Sequence, residues 1–215
     1  MYFLTKELYF PPVEEASHEG ILAFGGDLST ERLLLAYKSG IFPWFNEDEP
    51  ILWWAPPERM VVNPNDYKIS KSLRNIINRD LFEVTINKDF EAVISNCQTV
   101  TRKGQNGTWI TNDIIESYTK LNKLGSAMSF EVWQKNELVG GLYGVDLGDI
   151  FCGESMFSKV PNASKVAFVK LIEFLKTNSY KLLDCQVHND HLEQLGAFEI
   201  SRDTFMMILH SNKKS

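Results

Sequence analysis

The sequence predicts an α+β protein with a small N-terminal α/β domain, residues 1–58, and a larger domain over 59–215. Three observations carry this. Six of the eight prolines and three of the five tryptophans fall within the first 58 residues. Proline at that density breaks long elements, which favours a loop-rich, aromatic-packed unit. From about Arg59 onward, strand and helix patterns alternate. Within that stretch three strands come in series, linked by short polar turns, the pattern of an antiparallel meander.

The elements run in chain order. Ser29 can cap a helix whose Leu33, Ala36 and Tyr37 share a face and which Gly40 can end. Arg59–Val62 and Phe82–Ile86 read as strands. Between them Ser70–Arg79 reads as a helix, with Leu73, Ile76 and Ile77 inward and Lys71, Arg74, Asn75 and Asn78 outward. Asp89–Cys97 and Asn112–Leu124 read as helices, the second closed by Gly125. The meander comprises Ala127–Gln134, Glu137–Asp146 and Asp149–Met156, turning at Lys135-Asn136 and Leu147-Gly148. Gly140, Gly141 and Gly144 interrupt its middle strand. Glycine there marks a bulge, a close approach, or packing against a helix. Asn162 can cap a long helix with a stripe of Phe168, Leu171, Ile172 and Leu175. Lys181–Val187 reads as a strand, Asp190–Leu195 as a short helix ended by Gly196, and Ala197–Ile200 as a last strand. Ser201 can cap a final helix, and the tail Ser211–Ser215 is expected to be loose.

The net charge of −6 excludes a whole-protein basic field, so nucleic-acid contact needs a local patch. Such a stripe exists: Lys68, Lys71, Arg74 and Arg79, with Lys88, Arg102 and Lys103 further on. Three scattered cysteines suit buried thiols in a reducing compartment. The start lacks a signal peptide and no apolar run spans a bilayer, so a cytoplasmic protein without membrane contact is expected. There is no GxxxxGK[ST] loop and no GxGxxG, so nucleotide cofactors have no support.

The chemistry concentrates in two segments. Phe151-Cys152-Gly153-Glu154-Ser155-Met156-Phe157-Ser158 sets a carboxylate and a hydroxyl into an aromatic strand end. Asp184-Cys185-Gln186-Val187 sets polar groups into an apolar strand, with Asp184 and Gln186 on one face by strand parity. Buried polar groups are costly unless paired, so Glu154, Asp184 and Gln186 need each other or a ligand. Asp184 and Gln186 read either as a structural pair or as an orienting pair, in which Asp184 accepts from the Gln186 amide. Glutamine is no true base, so it would contribute orientation and electrostatics. Ser155 lacks the second glycine of a nucleophile elbow, because Phe157 sits there, and reads as a pocket residue. Cys185, His188 and His191 have metal-ligand spacing but no evident fourth ligand, and no metal is expected. Trp109, after the flexible Lys103–Gly107 loop, is either core or a stacking platform.

These residues together resemble the bacterial leucyl/phenylalanyl-tRNA–protein transferases. The resemblance spans most of the chain. It includes Gly25-Gly26-Asp27-Leu28-Ser29, Gly40-Ile41-Phe42-Pro43-Trp44-Phe45, Ile51-Leu52-Trp53-Trp54, Gly107-Thr108-Trp109-Ile110-Thr111, Glu137–Gly144, Phe151–Ser158, Asn162-Ala163-Ser164-Lys165 and Asp184–His191. It implies a C-terminal domain of N-acetyltransferase-like fold and transfer of Leu or Phe, less readily Met, from charged tRNA. The acceptors would be proteins with N-terminal Arg or Lys, marked thereby for N-end rule degradation, and no cofactor is called for. It implies catalytic or acceptor-binding roles for Glu154, Asp184 and Gln186. It also implies an aminoacyl pocket of Trp44, Trp109, Leu142, Phe151, Ser155 and Leu171. The family has phenylalanine where this chain has Leu171, and often methionine where it has Leu142. An acyl-CoA-dependent N-acetyltransferase is the alternative, and a non-catalytic module reading basic N-termini is a third. Phe157–Ser164, where a CoA pyrophosphate would lie, has no glycine and contains Pro161.

Overall fold

The computed structural model describes residues 1–99 and 108–211. Arg102, Lys103, the expected loop up to Gly107 and the tail 212–215 lie outside the described residues. Four helices begin where the sequence offers a hydroxyl cap. Ser29 opens α1 (Thr30–Lys38), Ser70 opens α2 (Lys71–Ile77), Thr111 opens α4 (Asn112–Lys123) and Ser201 opens α7 (Arg202–His210). Each side chain accepts a backbone N–H from the first turn, from Arg32, Leu73, Ile114 and Thr204 respectively, satisfying a donor the helix cannot. The remaining helices are α3 (Phe90–Thr99), α5 (Ala163–Thr177) and α6 (Asp190–Gln194).

The cap expected of Asn162 is corrected. Asn162 adopts left-handed backbone (φ 71°) and its side chain makes no capping bond. Ser158 does that work instead: its hydroxyl accepts from Ser164 N–H at 3.2 Å and donates to Val160 C=O at 2.8 Å.

The strands are β1 (Tyr2–Leu4), β2 (Ile21–Gly25), β3 (Phe42–Pro43), β4 (Leu52–Trp54), β5 (Glu58–Val62), β6 (Glu83–Ile86), β7 (Ala127–Gln134), β8 (Glu137–Asp146), β9 (Ile150–Ser158), β10 (Leu182–Asp184) and β11 (Phe198–Ser201). The first four form one sheet in the order β1-β2-β4-β3, and the rest a second in the order β11-β5-β10-β9-β8-β7-β6. The predicted α+β class is borne out. The meander β7-β8-β9 is antiparallel, and β10 joins β9 in parallel. One core cluster runs from the first sheet and α1 (Leu22, Leu33, Trp53) to α3 and α4 beneath the second (Val93, Ile94, Tyr118). Another packs α5, through Phe168, Leu171, Ile172 and Leu175, onto the opposite face.

Both readings of the β8 glycines hold, at different positions. A Cβ on Gly140 would stand 2.5 Å from the Cβ of Ala163, so Gly140 lets α5 lie close on the sheet. A Cβ on Gly144 would stand 2.2 Å from the Cys152 carbonyl oxygen, and there the ladder slips. Tyr143 pairs with Ser155 but Gly144 pairs with Gly153, so Glu154 is the extra residue of a β-bulge. Glu154 therefore sits in the middle of β9, not at a strand end as expected. The predicted strand Lys181–Val187 is also shorter, closing at Asp184, because Gln186 turns left-handed at φ 60°. Strand parity thus does not relate Asp184 to Gln186.

Candidate active site

A buried cation fixes the framework. Arg59 lies in the apolar strand β5, 2% exposed, and Asp184 on the neighbouring β10 is fully buried. Two charges inside a core require each other. They meet in a two-pronged pair, Nε to Oδ1 and Nη2 to Oδ2, both at 2.8 Å. Arg59 Nη1 donates to the Gly40 carbonyl at 3.0 Å, and the guanidinium lies between the rings of Phe42 (4.8 Å) and Phe205 (4.6 Å). One side chain thus ties the end of α1, the edge strand β3 and the last helix to the centre of the second sheet.

Asp184 also shapes the backbone just beyond β10. Its Oδ1 accepts the backbone N–H of Gln186 at 2.9 Å, and the Gln186 carbonyl accepts from Met60 N–H at 3.1 Å. A non-glycine residue in this region is strained and persists only when its surroundings over-determine it, as these two bonds do. The expected pairing of Asp184 with the Gln186 side-chain amide is therefore corrected. The side-chain amide turns the other way, and its Nε2 donates to Glu154 Oε1 at 3.0 Å.

Glu154 gathers further donors. Tyr37 on α1 donates to Oε1 at 2.7 Å, and Tyr118 on α4 approaches Oε2 at 3.4 Å. The two phenol oxygens are 2.5 Å apart. Burial pushes the Glu154 carboxyl up to about 8; the tyrosine hydrogen bonds hold it down in part, while the charge of Asp184 raises it further. Burial also pushes both phenols well above their ordinary range, with the Glu154 charge adding to the effect. Two phenol hydroxyls and the Gln186 amide therefore surround a carboxyl that burial holds well above the usual carboxylate range.

Glu154 and Gln186 of this cluster lie in the wall of a cavity of about 580 Å³. Among the residues expected in a pocket, Trp44, Trp109, Leu142, Ser155 and Leu171 line it, as do Glu154 and Gln186. Asp184 is set behind Gln186. Phe151 is not among the lining residues. It is fully buried with its ring against Gly144 and edge-on to Phe130, in the stretch of β9 that β10 still covers as far as Cys152. Met156, Phe157, Phe168, Leu183 and Leu192 add to the apolar lining. Trp44 is 38% exposed at the mouth, braced by Trp54, whose ring lies tilted against it at 5.4 Å and which donates Nε1–H to its carbonyl.

Lys68, Lys71, Arg74 and Arg79 are all exposed on and around α2, and Lys68 borders a separate cavity of about 430 Å³. His188, Asp190 and Glu193 present donor atoms close enough for one metal ion, but all three are exposed and Cys185 is not part of the group. The Cys-x-x-His-x-x-His spacing therefore does not converge.

Arg59, Tyr37 and Tyr118 escaped sequence reading as site residues. Arg59 left a usable signal: a lone cation in an apolar strand matches a lone acid in Leu182-Leu183-Asp184. The phenols lay on the buried faces of α1 and α4, where a hydroxyl demands a partner.

The model of the leucyl/phenylalanyl-tRNA protein transferase family matches residues 61–210, and the model of that family's N-terminal domain matches residues 26–57. The leucyl/phenylalanyl-tRNA–protein transferase of Flavobacterium johnsoniae is 65% identical over 98% of this chain and 100% of its own length. That of Thermodesulfovibrio yellowstonii is 51% identical over 97% of this chain and 85% of its own length. Likeness to solved structures is looser. L-PGS from Bacillus licheniformis aligns at 14% identity over 78% of this chain and 53% of its own, with a TM-score of 0.42. An aminoglycoside acetyltransferase from a soil metagenome aligns at 13% identity over 63% of this chain and 92% of its own, with a TM-score of 0.40.

Proposed function

The chain belongs to the leucyl/phenylalanyl-tRNA–protein transferase family and is an aminoacyltransferase, and from that premise we propose its finer assignment. It moves Leu or Phe, less readily Met, from charged tRNA to the N-terminal Arg or Lys of acceptor proteins. The product is marked for N-end rule degradation, in the cytoplasm. Among the described residues no helix is long and apolar enough to cross a membrane. The single observation that supports this reading best is the junction at Glu154. There a carboxyl titrating near 8, the Gln186 amide and two phenols meet at the wall of an apolar cavity.

The chemistry asked of the site is modest. The aminoacyl ester is already activated, so no covalent enzyme intermediate is needed and positioning supplies much of the rate. The neutral α-amine attacks the ester carbonyl. The C–N bond forms, the ester C–O bond breaks, the amine gives up a proton and the ribose oxygen leaves with one. Gln186, its Nε2 held by Glu154, presents its side-chain oxygen to the amine as a hydrogen-bond acceptor. Asp184 holds the Gln186 backbone and neutralises Arg59. Burial lifts the Glu154 carboxyl toward the range in which an α-amine titrates, which suits it to exchange a proton with that amine. That favours Glu154 as the group that holds the amine and takes its proton.

Trp44, Trp109, Leu142, Ser155 and Leu171 accommodate the transferred side chain. Shape selection of this kind discriminates by about 1–3 kcal/mol per methylene. Phe151 supports this wall from below. Lys68, Lys71, Arg74 and Arg79 attract the tRNA backbone, with steep salt dependence. Acyl-CoA use is disfavoured, since Ser158 already occupies the Ser164 amide at the start of α5.

The test is transfer of labelled Leu and Phe from charged tRNA to a peptide beginning with Arg, beside an acetyl-CoA control. Transfer to the Arg peptide, and none to a peptide beginning with an acidic residue, supports the reading. Acetyl transfer from CoA, with none from tRNA, overturns it.

A further inference from the structure

The second sheet opens at the cavity. β10 pairs with β9 only from Leu182–Ile150 to Asp184–Cys152. β9 then runs on to Ser158 with a partner on one side alone. The direction of its free groups is set by the ladder. Lys159 N–H bonds Val139 C=O at 2.7 Å, so alternation turns the backbone groups of Phe157 and Ser155 toward β8 as well. Those of Met156 and Ser158 then face the other edge, where β10 has left. A continuing parallel ladder would give the Gln186 N–H to the Gly153 carbonyl, but it goes to Asp184 Oδ1 instead. The residues from Gly153 to Ser158 all line the cavity.

We propose that this open edge of β9 binds the acceptor polypeptide as an added parallel strand, in the place that β10 vacates at Gln186. The inference rests on the transferase reading of the same site. Direction and length fit it. With the acceptor's amine at Glu154 and Gln186, its chain runs outward beside β9 in the same sense, toward Ser158. From Glu154 to Ser158 the strand extends about 13 Å, enough to pair with about four acceptor residues. Met156 N–H donates to one acceptor carbonyl, and Met156 C=O accepts an N–H two residues further along the acceptor. Main-chain pairing holds a peptide without regard to its side chains. This lets an enzyme that reads the terminal residue accept otherwise unrelated sequences.

The test uses the native enzyme, labelled Leu on tRNA, and Arg-initiated peptides carrying one backbone N-methyl group at residue 2, 3, 4 or 5. The expected result has period two: alternate positions raise the peptide KM about tenfold, and their neighbours change it less than about threefold. A flat profile overturns the added strand. No transfer to the unmethylated peptide would instead count against the transferase reading itself. Met156→Pro provides a second measurement, because it removes the outward N–H and leaves the β8 ladder intact. It is expected to raise the peptide KM about tenfold, and an unchanged KM in a folded variant contradicts the proposal. If that variant does not fold, the methylation scan on the native chain decides alone.

Discussion

Replacing Arg59 by Met tests the framework beneath the site. The substitution keeps an apolar stem of similar reach but removes the charge opposite Asp184, which is fully buried. Breaking a buried pair by deleting one partner costs about 3–5 kcal/mol. Losing the donor to the Gly40 carbonyl adds about 1 kcal/mol. The contacts with Phe42 and Phe205 are worth about 0.5–1 kcal/mol each as cation–π interactions, and the Met side chain recovers part of that as packing. Asp184 can take up a proton, which caps the total at about 4–5 kcal/mol. With a urea m-value of about 2–3 kcal/mol/M, the unfolding midpoint tracked by circular dichroism falls by about 1.5–2 M. The double variant Arg59→Met/Asp184→Leu removes both charges and recovers most of that stability. It does not recover transfer, since the Gln186 backbone has lost its acceptor. A single variant that loses less than about 1 kcal/mol, or a double variant no more stable than the single, refutes the reasoning.

The geometry predicts three further outcomes. The folded Glu154 binds its proton up to about pH 8 and the unfolded one only to about 4.5, so its contribution is present below 4.5 and is lost as pH rises through 8. Glu154→Gln fixes the uncharged form, so its Tm relative to the native chain rises steadily between pH 5 and 9, and a constant difference contradicts the shift. Gly144→Ala puts a methyl into the Cys152 carbonyl; it removes the bulge and lowers stability by about 2–3 kcal/mol in urea melts, with transfer lost. Lys71→Ala/Arg74→Ala weakens tRNA binding and lowers the slope of log K against log salt by about 1.5 units, whereas an unchanged slope removes α2 from the interface.

Local chemistry made much of this legible. Ser29 and Ser201 each stood before an apolar period and each became a cap, because the cap bond involves residues only three positions apart. The meander was readable from its alternation and its turns, where Lys135 and Asn136 both take positive φ. The errors arose where distant segments set the outcome. Asn162 lost its capping role to Ser158, whose position depends on how β9 ends. Phe151 carries the composition of a pocket residue, yet β10 covers β9 as far as Cys152, and the residues of β9 that line the cavity lie beyond that point. Asp184 and Gln186 looked like a same-face pair, but the demand of Arg59 for a counter-charge and the bond from Met60 rotate the backbone between them. The phenols of Tyr37 and Tyr118 come from helices 81 residues apart, and no local pattern announces their meeting.

The most direct test of the account measures transfer and tRNA binding side by side in Gln186→Ala and Glu154→Ala. If these groups hold the acceptor amine, transfer of labelled Leu to an Arg-initiated peptide falls by about 10²–10³ while tRNA affinity stays within about twofold. Equal losses in transfer and in tRNA affinity would contradict the assignment and give this cluster a structural role instead.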